Sequence, residues 1–179
     1  MNSYLPLPDP KDLPSEIRDA LGPMPLNVFR MAAHAPASFM ALAALARSIL
    51  FESGFDPVKR EIAVLRVARV SGAAYMWIHH ARLSRLYGVT EEQIEKIWTE
   101  DPVVSLEEED NLICRVADEI SRDVRLSDEA LALILGRYGE RGATELILCV
   151  SYFNMLSRFL ESTRVPVEDE SFLKGMYGA

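Results

Sequence analysis

The sequence has few cysteines and lacks the short motifs that mark common metal, nucleotide and nucleophile sites. Its two cysteines, Cys114 and Cys149, form neither a C-x-x-C pair nor a metal-ligand spacing, which is typical of buried apolar residues. It has no glycine-rich phosphate loop, no G-x-S-x-G elbow and no H-E-x-x-H pair. The adjacent His79 and His80 would diverge by about 100° on a helix. We therefore predict no metal site.

Positive charge and long apolar runs are scarce as well. A formal net charge of -8 over 179 residues argues against a nucleic-acid partner, because phosphate binding requires a concentrated positive surface. The longest apolar stretch, residues 39–51, is interrupted by Arg47 and is too short to span a bilayer, so no membrane contact is expected. Residues 1–14 lack a basic start followed by an apolar run. We therefore expect no signal peptide and a cytoplasmic location.

The chain is instead rich in hydrophobic residues, at 49%, and these recur with helical periods. No Asn-Gly or Asp-Gly hairpin turn competes, so we predict an all-α fold. The proline-rich residues 1–14 predict an extended arm, and residues 15–179 suit a single helical domain. Capping and stop signals predict helices at residues 15–21, 27–34, 36–53, 56–71, 73–87, 90–101, 106–125, 127–138 and 143–162.

Two consecutive helices within residues 56–88 contain the residues that are most plausible as catalytic groups. Asp56-Pro57 predicts a helix start, and Gly72 predicts its end. Helical projection places Glu61 on the apolar face of this helix, and it places His80 on the inward face of the next one. The polar side of the first helix is predicted to hold Lys59, Arg66 and Arg69.

Glu61 and His80 could meet across the corner at Ser71-Gly72 and supply an acid and a base to one pocket. The same pattern fits a purely structural pair, with the carboxylate bonded to a helix end or an arginine and the imidazole to a carbonyl. The pattern alone leaves both readings open. The residues predicted to lie at the rim of this pocket and to bind substrate are Tyr75, Trp77, His79 and Tyr87.

The same stretch combines Glu61, the turn R-V-A-R-V-S-G at residues 66–72, Tyr75, Trp77, the pair His79-His80 and the run L-x-x-x-Y-G-V-T-E-E-Q-I at residues 83–94. In this combination it resembles the carboxymuconolactone decarboxylase and alkyl hydroperoxidase D-like family. The resemblance extends over about residues 36–165, with a Y-x-N-M pattern at residues 152–155. It implies a helical bundle of the alkyl hydroperoxidase D-like type.

In the thiol-active branch of that family, a C-x-x-C pair begins twelve residues after the glutamate, and a histidine follows the second cysteine by four. The corresponding residues here are Ala73, Met76 and His80, so both thiols are missing. The resemblance therefore implies a retained catalytic pair, Glu61 and His80, without a redox centre or an added cofactor. It favours a lyase that decarboxylates or isomerises a small organic acid, keto acid or lactone.

Two other functions stay open. A thiol-dependent hydroperoxidase would need an activated thiolate that the sequence lacks at the required place. A non-catalytic helical assembly module would use the two residues only to hold the bundle together. In each case we expect a homo-oligomer, because the last long helix is apolar around its circumference. The resemblance implies trimers or hexamers, and we expect the arm to lie on a neighbouring subunit and the pocket to lie near an interface.

Overall fold

The computed structural model describes residues 5–22 and 25–178, and within those ranges every regular element is a helix. The predicted all-α fold is confirmed. None of these helices has the length and apolarity that crossing a bilayer requires. The helices are α1 (Ser15–Leu21), α2 (Asn27–Ala32), α3 (Pro36–Arg47), α4 (Pro57–Ser71), α5 (Ala74–Tyr87), α6 (Glu91–Thr99), α7 (Glu108–Asp123), α8 (Asp128–Thr163) and α9 (Glu170–Tyr177), with a π-helical segment at Ser48–Glu52.

The predicted ends of α4 and α5 are confirmed. The Asp56 side chain accepts hydrogen bonds from the backbone N–H groups of Val58 and Lys59, and Pro57 occupies the first helical position. Gly72 closes α4 with a φ of 67°, a left-handed conformation in which a side chain would be strained. The chain can therefore turn sharply between α4 and α5, which brings their inward faces together.

In the second half of the chain, a predicted helix start and a predicted helix break are also found. Thr90 and Gln93 form the predicted capping box at the start of α6. The two helices predicted at residues 127–138 and 143–162 are joined as α8, whose one non-helical residue is Gly139, with a φ of 66°. The sequence therefore located the break, but it overestimated its length.

Three local features differ from the prediction. Residues 10–12 of the predicted extended arm form a 3₁₀ turn, and residues 1–4 of the arm lie outside the described part of the chain. Helix α9 was missed, although Asp169 caps it by accepting from the N–H of Phe172. His34 ends the helix predicted at residues 27–34, where the sequence places it to cap the last carbonyl groups, but its Nε2 instead bonds the Pro6 carbonyl oxygen at 2.8 Å, because this part of the arm runs beside it.

The chain divides into two compact units, one comprising Ser53–Arg158 and the other comprising Met1–Glu52 with Phe159–Ala179. The described part of the second unit has its own small core, in which Ile17, Ala32, Ala33 and Phe39 are buried. In the same unit the Asn27 side chain donates to the Pro166 carbonyl at 3.0 Å. The proposal of one helical domain at residues 15–179 stays a prediction.

Helix α4 forms the centre of the Ser53–Arg158 unit. It packs against α5, α6 and α7, and its residues from Arg60 to Ala68 are all buried. A helix that is enclosed on every side must satisfy any ionisable side chain that it carries from neighbouring elements. The position of α4 therefore determines the surroundings of Glu61 and of its two buried arginines.

Candidate functional site

Glu61 and His80 are in direct contact inside the Ser53–Arg158 unit. Oε2 of Glu61 lies 2.8 Å from Nδ1 of His80. The Glu61 side chain is 0% exposed and that of His80 is 11% exposed, so the histidine is the member of the pair that meets solvent. The corner between α4 and α5 thus brings together the two inward ionisable groups that the sequence singled out.

Arg60 is a third member of this group, and the sequence analysis missed it. Its Nε and Nη2 both donate to Oε1 of Glu61, each at 3.2 Å, and its side chain is also buried. Both carboxylate oxygens of Glu61 therefore have partners, one an imidazole and the other a guanidinium. Arg60 also lies over the Tyr87 ring, with 5.0 Å between Cζ and the ring centroid. This contact connects Tyr87, a predicted rim residue, to the pair.

The other three predicted rim residues do not form one surface. Tyr75 and His79 are buried and stack on each other, with ring centroids 4.4 Å apart. Trp77 packs instead on Trp98 of α6, at 4.5 Å between centroids. The predicted set is therefore divided into separate aromatic contacts, and its role in substrate binding stays a prediction.

Helix α8 supplies one wall beside the pair, and this wall is apolar. The Phe153 ring meets the His80 ring edge to face, with centroids 5.0 Å apart. The Ser157 hydroxyl donates to the Phe153 carbonyl at 2.8 Å and lies 3.1 Å from Sδ of Met76. Met76 and Ala73, which stand where the thiol-active branch has its cysteines, are both buried. The groups around His80 on this side are thus mainly apolar, and neither position that carries a thiol in the thiol-active branch is a cysteine.

The two cysteines are buried, as predicted, and their thiols are held in the neutral form. Burial, together with the nearby negative charge of Glu61, raises the pKa of Cys149 to about 12, and the positive charge of Arg60 partly opposes this effect. Burial also raises the pKa of Cys114 far above its ordinary value. Because a thiolate is the reactive species, neither residue is an activated nucleophile.

Arg66 does not lie on the exposed polar side of α4, where it was predicted. It was assigned there with Lys59 and Arg69, yet it is 1% exposed. Its Nε and Nη2 donate to the two carboxylate oxygens of Asp118 at 2.5 and 2.8 Å, and Nη2 also reaches Asp101 at 2.9 Å. The carbonyl oxygens of Ile97 and Glu100 accept from Nη1. Helical projection cannot foresee this burial, because the acceptors come from α7 and from the end of α6.

Two cavities open elsewhere in the same unit, and neither is lined by Glu61 or His80. The larger, of about 910 Å³, lies between α7, the first part of α8 and the loop at residues 102–104. The smaller, of about 340 Å³, lies at the start of α4 beside Lys59, Glu109 and Tyr138. No cluster of three or more potential metal ligands occurs in residues 5–22 and 25–178.

Residues 36–102 match the model of the carboxymuconolactone decarboxylase family. The match contains Glu61, the turn at residues 66–72 and His80, so the resemblance drawn from the sequence is confirmed. It is shorter than the predicted extent of about residues 36–165. No curated protein sequence matches the chain.

Solved structures resemble the chain over most of its length. An alkylhydroperoxidase AhpD core, a peroxidase-related protein from Ralstonia eutropha JMP134, is 18% identical with a TM-score of 0.81, and the match covers 96% of this chain and 95% of that one. A peroxidase-related protein from Silicibacter sp. TM1040 is 19% identical with a TM-score of 0.76, covering 93% and 91%. A putative antioxidant defence protein AhpD from Agrobacterium tumefaciens is 21% identical with a TM-score of 0.66, covering 78% and 96%. The fold of this chain is therefore AhpD-like.

Proposed function

We propose that this chain, whose residues 36–102 match the carboxymuconolactone decarboxylase family, is a cofactor-independent acid/base enzyme. Its substrate would be a small organic acid, keto acid or lactone, which it would decarboxylate or isomerise. The contact between the buried Glu61 carboxylate and the His80 imidazole carries this proposal. A buried carboxylate that orients a partly accessible histidine is an arrangement suited to proton transfer.

The hydrogen bond assigns a role to each ring nitrogen of His80. An ionised carboxylate can only accept, so Nδ1 holds the proton that points to Glu61, and Nε2 is left to exchange a proton with a substrate. As a base, Nε2 would take the proton next to a carbonyl and leave an enolate. As an acid, it would return a proton to the enolate carbon formed by isomerisation or by loss of carbon dioxide. Glu61 stabilises the imidazolium between these steps.

The charge balance around the pair favours an anionic substrate. Arg60 and Glu61 form an ion pair at 3.2 Å, and a proton on His80 adds a positive charge beside them. A substrate carboxylate or enolate near His80 would be attracted to this positive charge. This reasoning supports organic acids and carboxylated lactones over neutral substrates.

Exchange of carbon-bound protons with deuterons from D₂O tests the proposal directly. We expect the protein to catalyse proton–deuteron exchange next to the carbonyl in at least one member of a panel of 2-keto acids, 3-keto acids and carboxylated lactones, followed by NMR. His80→Asn should slow this exchange by roughly 10²-fold or more, the usual contribution of a general base. His34→Asn is the matched control, because His34 bonds the Pro6 carbonyl in the other unit and should leave the rate unchanged.

Absence of exchange in the whole panel, or equal exchange in His80→Asn and the unmodified protein, would contradict the acid/base proposal. The second candidate, a non-catalytic helical module, would then be preferred. One observation favours that alternative, since both carboxylate oxygens of Glu61 already have protein partners, as in a structural ion pair.

A hydroperoxidase function is disfavoured, and we predict no appreciable organic-hydroperoxide turnover. Ala73 and Met76 occupy the thiol positions, and burial keeps Cys114 and Cys149 protonated. A coupled assay with a dithiol reductant measures this turnover, and the double variant Ala73→Cys, Met76→Cys, which restores both thiols, serves as the comparison. Robust turnover by the unmodified protein that disappears in Cys114→Ser or Cys149→Ser would reverse the prediction.

We also propose that the chain forms a homo-oligomer, as a trimer or hexamer, with the pair near an interface. Large apolar side chains that are exposed in the isolated chain support association, among them Phe51 and Leu86. Light scattering at micromolar concentration measures the mass. A stable species near 20.1 kDa would show a monomer and would rule out the assembly.

A further inference from the structure

Arg60 and Glu61 are neighbours in sequence, yet their side chains meet. Adjacent residues on a helix point about 100° apart and do not normally face each other. Here Nε and Nη2 of Arg60 both donate to the same oxygen, Oε1 of Glu61, each at 3.2 Å. The other oxygen, Oε2, lies 2.8 Å from Nδ1 of His80. The carboxylate is therefore held between a guanidinium and an imidazole, with one oxygen for each.

Helix α5 adds a second contact to this arrangement. Tyr87 follows His80 by seven residues, which is about two turns along the same face of the helix. Its ring centroid lies 5.0 Å from Cζ of Arg60, while His80 contacts Glu61. Two contacts therefore cross from α4 to α5, and they fix the positions of the guanidinium and of the carboxylate.

Arg60 also supplies a positive charge that compensates Glu61. The side chain of Glu61 is 0% exposed and that of Arg60 is 5% exposed, so solvent contributes little at this place. A buried carboxylate without a compensating charge is costly, and such a group takes up a proton instead. The charges of both residues act on the nearby Cys149, but that thiol is neutral and supplies no positive charge. The ionised state of Glu61 is therefore linked to Arg60.

This charge decides how many protons Glu61 and His80 share. With Arg60 present, an ionised carboxylate and a neutral imidazole hold one proton, on Nδ1, and Nε2 has none. Without the charge of Arg60, the pair gains a proton in one of two ways. Either the carboxyl group is protonated and donates to Nδ1, which places the ring hydrogen on Nε2, or the imidazole becomes a cation with a hydrogen on each nitrogen. In both cases Nε2 is protonated.

We propose that Arg60 is a positioning residue whose buried positive charge keeps Nε2 of His80 unprotonated and therefore able to act as a base. It acts through Glu61, without touching the substrate. The assignment rests on the proposed acid/base function, in which Nε2 takes the proton next to a carbonyl. It differs from a purely structural role, because the charge of this side chain, and not its packing, decides where the ring carries its hydrogen.

Two substitutions that both retain a long side chain separate charge from packing. Arg60→Gln removes the charge but can still donate a hydrogen bond to Oε1 of Glu61, whereas Arg60→Lys keeps both the charge and a donor. Circular dichroism shows whether each variant is folded. Arg69→Gln is the matched control, because Arg69 lies on the same helix and donates to the Trp98 carbonyl instead.

The protonation of the ring can be measured without a substrate. The chain has three histidines, so protein labelled with ¹⁵N at histidine gives three imidazole patterns, and His80→Asn identifies the one from His80. The measurement is made at about pH 8, above the ordinary pKa of histidine. We expect Nε2 to resonate as a nitrogen without hydrogen in the unmodified protein, in Arg60→Lys and in Arg69→Gln. In Arg60→Gln it should resonate as a protonated nitrogen.

Three results would overturn the proposal. The first is the same ring state in Arg60→Gln and Arg60→Lys, and the second is a protonated Nε2 in Arg69→Gln. The third is a hydrogen on Nε2 of His80 in the unmodified protein at this pH, which decides the question even where a variant does not fold.

Proton–deuteron exchange gives the functional readout, with the keto acid or lactone that the unmodified protein exchanges fastest. Arg60→Gln should slow exchange by roughly 10²-fold, as His80→Asn does, because both variants lack an unprotonated Nε2, and Arg60→Lys should slow it by less than about tenfold. Equal losses in Arg60→Gln and Arg60→Lys would contradict the role of the charge. If no compound in the panel exchanges, the acid/base function fails, and the NMR comparison alone decides the role of Arg60.

Discussion

Replacement of Arg66 by methionine should lower the free energy of unfolding by about 3–5 kcal/mol, measured by urea denaturation. Arg66 is buried and forms two hydrogen bonds with Asp118 and one with Asp101. Methionine fills much of the same space but leaves the buried Asp118 without that guanidinium. It also takes the donor from the carbonyl oxygens of Ile97 and Glu100, which accept from Arg66.

Arg69→Met is the matched control, because Arg69 lies on the same helix at a half-buried position. It donates to the Trp98 carbonyl and lies over the Trp98 ring, and its loss should cost no more than about 1 kcal/mol. Arg66→Met with Asp118→Asn should recover part of the stability, since the second change removes the orphaned charge. If Arg66→Met and Arg69→Met lower the free energy of unfolding equally little, the hydrogen bonds of Arg66 do not hold α4, α6 and α7 together.

Replacement of Glu61 by glutamine should also cost about 3–5 kcal/mol, because the buried Arg60 then loses the carboxylate that it contacts. The amide can keep one hydrogen bond to His80 but carries no charge. We therefore expect Glu61→Gln to reduce both stability and any proton-transfer activity. Loss of activity in this variant alone would not separate a catalytic role from a structural one.

A double-mutant cycle measures how strongly Arg60 and Glu61 stabilise each other. Arg60→Met leaves the fully buried Glu61 without its guanidinium partner and should be as costly as Glu61→Gln, whereas Arg60→Met with Glu61→Gln should cost much less than the sum of the two. Glu145→Gln, which breaks the exposed Arg141–Glu145 pair, should change stability far less. Additive losses in the cycle would show that Arg60 and Glu61 are not coupled.

His80→Asn is the cleaner test of catalysis, because it leaves the contact between Arg60 and Glu61 intact. If Glu61 and His80 act as a unit, adding Glu61→Gln to His80→Asn should remove scarcely more of the exchange rate than His80→Asn alone. The unfolding midpoint of each variant, measured in the same buffer, shows whether lost activity reflects lost folding. A much larger rate loss in the double variant would mean that the two groups act separately.

The Arg66 network and the Arg60 contact were not accessible from periodicity. The helical projection of α4 placed Arg66 and Arg69 together on the polar side, and this holds for Arg69 better than for Arg66. An arginine can be buried when several acceptor oxygens bind its guanidinium group. For Arg66 those acceptors lie on α7 and after α6, far away in sequence. Arg60 was missed for a different reason, because its partner Glu61 is adjacent in sequence and neighbouring side chains on a helix are expected to diverge.

Local chemistry by itself determined the helices, their ends and the inward direction of two ionisable groups. Capping at Asp56 and Thr90, the left-handed turn at Gly72 and the spacing of apolar residues are short-range effects, so the sequence alone predicts them. The tertiary structure alone decided which buried charges compensate one another and how the predicted rim residues divide. Those outcomes depend on groups that lie far apart in the chain, and only packing determines which of them meet.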